Sequence, residues 1–97
     1  MKIAVCDDDR QMLLETRLLL TAYQESRQVN FNCQYFENAT DMLAETECEN
    51  YDLLFLDVLM PGVNGMQAAR EIRAKNENLK IVFLTSSPEY AVESYRV

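Results

Sequence analysis

The sequence predicts an α/β domain, a doubly wound parallel sheet with helices on both faces. Three observations predict it. Short apolar runs rich in strand formers recur at residues 3–6, 52–56 and 80–84, each short enough for a strand and apolar enough for one buried on both faces. Between them lie segments with apolar residues at helical spacing. The connections are short, and strands alternating with helices through short connections form parallel pairs with right-handed crossovers.

Taken in order, the run 3–6 ends in Asp7-Asp8-Asp9. A helix follows from Arg10 to about Arg27, with Leu13, Leu14, Leu18, Leu20 and Tyr23 among polar residues. Leu14 and Leu18 form an i, i+4 pair. Acids at its start suit the helix dipole, so capping and dipole compensation alone account for one or two of the three. Residues 30–36 alternate weakly through Phe31, Cys33 and Tyr35. This partly polar run reads as an edge strand. Asn38 has the chemistry of an N-cap, with Asp41 at the third helical position. The helix Ala39 to about Cys48 turns Met42 and Leu43 inward, and Glu45, Glu47 and Glu49 form a solvated face.

The run 52–56 stops on Asp57. Met60-Pro61-Gly62 makes a loop, because Pro and Gly both break regular structure. Asn64 caps a helix from Gly65 to about Lys75, with Met66, Ala69 and Ile72 at helical spacing. Asn76-Glu77-Asn78 is a turn before the run 80–84, which ends in Thr85-Ser86-Ser87. Ser87 caps a further helix with Pro88 in its first position, where a missing N–H costs nothing.

The 97 residues suffice for one domain. Apolar residues make up 48% and charged residues 26%, a globular mix. The net charge of −7 opposes phosphate backbones and anionic lipid and favours a cation or a basic partner. With no His and no C-x-x-C spacing among Cys6, Cys33 and Cys48, a Cys/His zinc site is excluded. An odd cysteine count and an N-terminus that reaches charge at Asp7 predict reduced thiols in a cytoplasmic protein.

Three strands thus end in polar groups: Asp7-Asp8, Asp57 and Thr85. In an open doubly wound sheet, ligands bind beyond the carboxyl ends of strands, where the strand order reverses. With order 2-1-3-4 the reversal lies between the first and third strands, so Asp7 and Asp8 face Asp57 with Thr85 beside them. Three close carboxylates repel one another. Mg²⁺, which takes a few carboxylates together with waters and a phosphate, compensates them. Such a site suits phosphoryl transfer, with Asp57 as the nucleophile.

On these residues the chain resembles the receiver domain of bacterial two-component response regulators, a flavodoxin-like fold. The matching stretches are Val5-Cys6-Asp7-Asp8, then Leu54-Phe55-Leu56-Asp57-Val58-Leu59-Met60-Pro61-Gly62 through Gly65, and Phe83-Leu84-Thr85-Ser86. It is most similar to regulators with a LytTR-type DNA-binding output domain. The resemblance implies that Asp57 accepts a phosphoryl group from a sensor histidine kinase. It implies that Asp8 ligates Mg²⁺ directly, Asp7 assists through water, and the backbone carbonyl of Leu59 completes the protein's share of the shell. Thr85 then hydrogen-bonds the phosphoryl group and moves with its loop, and Ser86 offers a backbone N–H. Asp9 is given no essential role.

The family has a fifth strand ending in Lys and then a fifth helix. Neither precedes Val97, and Lys75 and Lys80 do not occupy that position. Residues 1–97 are therefore expected to form a truncated receiver, with the run 80–84 as an open apolar edge and a sheet face bare beside the first helix. Self-association through that face or edge is expected. DNA binding is expected only in an output domain outside this segment. Two other readings compete. One is an interaction module that works without phosphorylation. The other is a Mg²⁺-dependent hydrolase, disfavoured because Val58, Leu59 and Met60 offer no second acid after Asp57.

Overall fold

The computed structural model describes residues 1–48, 51–58 and 65–84, except for the side chains of 46–48. Its elements are β1 (Lys2–Cys6), α1 (Arg10–Arg27), β2 (Asn32–Phe36), α2 (Ala39–Cys48), β3 (Leu53–Asp57), α3 (Gly65–Lys75) and β4 (Lys80–Leu84). Among the described residues the strands form one parallel sheet in the order β2-β1-β3-β4. The expected order and the edge position of β2 are both observed. The cap and helix placed at residues 87 onward lie outside the described residues.

The helix starts follow side-chain chemistry. Asp9 caps α1, accepting hydrogen bonds from the backbone N–H groups of Gln11 (2.9 Å) and Met12 (3.4 Å). Asn38 caps α2. Its Oδ1 accepts from the Asp41 N–H at 2.8 Å, and its amide donates back to the Asp41 carboxylate at 3.0 Å. Each cap satisfies N–H groups that the first helical turn leaves without partners. α1 ends at Gln28, whose backbone turns left-handed (φ 55°) and donates to the Gln24 carbonyl.

Alternation along β1 and β3 divides the interior in two. Ala4, Cys6, Leu54 and Leu56 pack with Met42, Ala68, Ala69 and Ile72, beneath α2 and α3. Ile3 and Val5 face the other way, toward Leu13 and Leu20 of α1 and toward Phe31, Cys33 and Tyr35. β1 is buried on both faces, as expected. β3 is not: Leu54 and Leu56 are buried, but Leu53 and Phe55 only half so. β4, whose one strand partner among the described residues is β3, leaves Val82 41% exposed.

α1 has its expected bounds, and the structure decides which of its apolar residues turn inward. Leu14 and Leu18 lie on the outside, 49% and 60% exposed. The inward stripe is Leu13 and Leu20, with Thr16 and Gln24 half-buried between and beyond them. Four residues of separation established the period of the helix but not its phase. Among the described residues no helix is long and apolar enough to cross a membrane.

Candidate metal and phosphoacceptor site

The parallel register places the acids. Cys6 lies opposite Leu56, so the next residue of each chain, Asp7 and Asp57, leaves the sheet at the same rim. The Asp7 N–H donates to the Phe36 carbonyl at 3.1 Å, extending the β1–β2 ladder by one step. Asp8 turns outward into solvent. Asp7, Asp8 and Asp57 each offer a carboxylate oxygen, and these oxygens lie within 4.8 Å of one another. The crevice between β1 and β3 is the point at which the strand order reverses, as the sequence reading requires.

The three acids differ in surroundings. Asp7 is 4% exposed, Asp57 is half-buried and Asp8 is exposed. Burial pushes the Asp7 carboxyl above its ordinary range. Its hydrogen bonds with the Asp9 N–H (2.9 Å) and the Asp57 side chain pull it partly back, and the charges of Asp8 and Asp9 push it up again. A cation seated among the three would offset their mutual repulsion. The donor set is all oxygen, spans buried to exposed, and leaves a wet side, which suits Mg²⁺ better than a closed protein cage.

The floor of the site is inert. Cys6 is fully buried, and its thiol is pushed up to about 12, first by burial and then by Asp7, Asp57 and Asp8. It stays protonated at neutral pH and does not compete as a soft ligand. Asp9 belongs to the helix, not to the cluster, because its carboxylate serves the α1 N-terminus. Of the acid triplet, one member is a cap and two face the crevice. Arg10 sits one residue on and pairs with Glu37 at 2.8 Å on the surface.

Thr85, Ser86 and the carbonyl of Leu59 lie outside the described residues. One residue escaped the sequence reading. Gly65 was expected only to open α3, yet its N–H donates to the Val58 carbonyl at 3.0 Å, directly behind Asp57. The signal was a glycine where a helix former would serve the start of a helix equally well.

Residues 3–97 match the response regulator receiver domain family. The chain belongs to that family. Receiver domains are signalling modules of two-component systems. It is 37% identical over 90 residues to the transcriptional regulatory protein ResD of Bacillus subtilis, covering 93% of this chain and 35% of that protein. It is 29% identical over 99 residues to the sensory transduction protein LytT of Oceanobacillus iheyensis, covering all of this chain and 39% of LytT. The chain therefore spans little more than a third of the curated relatives it matches.

Among solved structures, the response regulator TrrA of Thermotoga maritima, in complex with Mg²⁺ and beryllofluoride, superposes with a TM-score of 0.78 at 34% identity, covering 95% of this chain and 75% of that one. A response regulator receiver domain from Clostridium thermocellum reaches a TM-score of 0.81 at 23% identity, covering 98% of this chain and 74% of that one, a likeness of fold alone.

Proposed function

We propose that residues 1–97 act as a phosphoacceptor domain: Asp57 takes a phosphoryl group from the phosphohistidine of a partner kinase, with Mg²⁺ held by Asp8, Asp57 and, through water, Asp7. The observation that carries this is the approach of three carboxylate oxygens to within 4.8 Å at the sheet's reversal point. When bound, Mg²⁺ neutralises the clustered acids and the oxygens of the incoming phosphoryl group.

The chain's own residues do the rest. A carboxylate oxygen of Asp57 attacks phosphorus. The donor's P–N bond breaks as the P–O bond forms, and the leaving imidazole nitrogen keeps the bonding pair. Asp7, the most buried acid, orients the cluster through its bond to the Asp9 N–H. The Leu59 carbonyl would add an oxygen donor to the metal, and Thr85 would hydrogen-bond the phosphoryl group once it is attached. Because Val58 is apolar and buried, no acid directly follows Asp57 to protonate a leaving group, which suits a signalling module rather than a hydrolase.

In the whole protein this domain controls an output domain, transcriptional as in the relatives above, in the cytoplasm. The domain itself does not bind nucleic acid, given its net charge of −7. It associates with a second copy of this chain through the exposed side of α1 and the edge of β4. The decisive experiment is labelling with a small phosphodonor such as acetyl phosphate. Wild-type protein is expected to be labelled only with Mg²⁺, and Asp57→Asn not at all. Equal labelling of Asp57→Asn, or labelling indifferent to Mg²⁺, would overturn the assignment.

A further inference from the structure

Gly65, the first residue of α3, is pressed against the backbone of the proposed phosphoacceptor. A Cβ at this position would lie 2.2 Å from the Asp57 carbonyl oxygen, 2.7 Å from the Val58 Cα and 3.0 Å from the Asp57 carbonyl carbon. All three atoms are backbone, so no change of rotamer relieves the contact. The Gly65 N–H meanwhile holds the Val58 carbonyl at 3.0 Å. α3 and the end of β3 are thus clamped together at the one place where Asp57 leaves the sheet.

Accommodating a methyl group there needs a shift of about 1 Å, of the size that misplaces a reacting group. Neither side moves freely. α3 is locked by Met66, Ala68, Ala69 and Ile72, all buried. Asp57 is held in the sheet opposite Leu84. Its carboxylate has to stay within 4.8 Å of those of Asp7 and Asp8, and a displaced Asp57 peptide carries that carboxylate with it.

We infer that Gly65 is a positioning residue for the metal and phosphoacceptor site. It has no side chain because α3 must sit directly against the Asp57–Val58 peptide to hold the carboxylate in register with Asp7 and Asp8. The inference rests on the proposed Mg²⁺ site, and its test separates the two.

Mg²⁺ affinity is read from the Mg²⁺-dependent rise of the urea unfolding midpoint in wild type, Gly65→Ala and Leu20→Ala. The last variant loosens packing on the α1 side of the sheet, away from α3. Gly65→Ala is expected to bind Mg²⁺ roughly 10- to 100-fold more weakly, as when a supporting contact behind a metal ligand is lost. Leu20→Ala is expected to bind like wild type. Equal affinity in the two variants overturns the positioning role while leaving the site intact. Absence of any Mg²⁺ response in wild type overturns the site and the inference together.

Should Gly65→Ala not fold, the wild-type amide spectrum decides. On Mg²⁺ addition the Gly65 N–H, bonded behind Asp57, is expected to shift along with those of Asp8 and Asp57. An unmoved Gly65 signal beside moving Asp8 and Asp57 signals overturns the proposal.

Discussion

The two faces of the sheet are covered very differently. Beneath α2 and α3, Ala4, Cys6, Leu54, Leu56, Ala68 and Ala69 are sealed from solvent. On the α1 side, Leu53 and Phe55 are half-buried, Val82 is largely exposed, and α1 turns Leu14 and Leu18 outward. The acid crevice lies at the rim where the two faces meet. One face supplies the packing that holds the fold. The other leaves apolar side chains part-exposed among the described residues.

The largest contrast expected is in stability. Truncating Leu54 to Ala, under α2 and α3, should cost about 3 kcal/mol through lost burial and a cavity that cannot collapse. Truncating Leu18 to Ala on the outside of α1 should change stability by about 0.5 kcal/mol or less. Urea denaturation of the two variants checks this. Similar losses would mean that α1's outer face is packed in solution and that the contrast between faces is false.

That contrast was only partly legible in the sequence. Strand and helix order, the bounds of α1, α2 and α3, and the meeting of Asp7, Asp8 and Asp57 follow from period, caps and strand ends, which are local signals. Which side of α1 turns inward is not local. Leu14 and Leu18 satisfy a helical period as well as Leu13 and Leu20 do, and only packing against the sheet selects between them. Likewise the apolar runs of β3 and β4 read like that of β1. Position in the sheet, not composition, leaves Phe55 and Val82 partly open. At the site, the split of Asp7-Asp8-Asp9 into two crevice acids and a cap depends on where α1 begins, and sequence chemistry left one or two of the three open to that reading. The backbone contact behind Gly65 joins α3 to β3 through a distance that no residue pattern encodes.

A smaller effect separates the rim from both faces. Burial raises Asp7 from the ordinary 3.8, so the folded chain holds its proton more tightly than the unfolded chain. The sign follows by linkage: where the folded state binds more protons, stability falls as pH rises. This contribution is fully present below the unfolded value and is lost as pH climbs through the raised folded value. Without Mg²⁺, the urea midpoint should therefore decline as pH rises above the unfolded value and through the raised folded one, and Asp7→Asn should flatten that decline. Mg²⁺, which competes with protons for the carboxylates, should bind more weakly at the acid end and oppose that decline. A midpoint that instead rises with pH in metal-free wild type, with Asp7→Asn no flatter, would mean that the cluster is not strained by its own charge.

The smallest effect on folding should accompany a large effect on assembly. Replacing Leu14 and Leu18 together by Ser removes apolar surface from the outside of α1 without touching Leu13 or Leu20. The helix keeps its Asp9 cap, its inward stripe and the Arg17 guanidinium stacked over Tyr35 at 4.8 Å. Stability should stay within about 0.5 kcal/mol of wild type, as for surface positions generally. If the α1 side is where copies of the chain meet, sedimentation equilibrium should show wild type associating with concentration and the double variant shifted toward monomer. Labelling of Asp57 should be unchanged, because neither leucine belongs to the acid cluster. A double variant that associates as strongly as wild type would move the contact to the β4 edge, where a charge in place of Val82 becomes the next substitution to weaken it. Loss of labelling without loss of association would instead tie the outer face of α1 to the phosphoacceptor site, and the contrast between the two faces would fail.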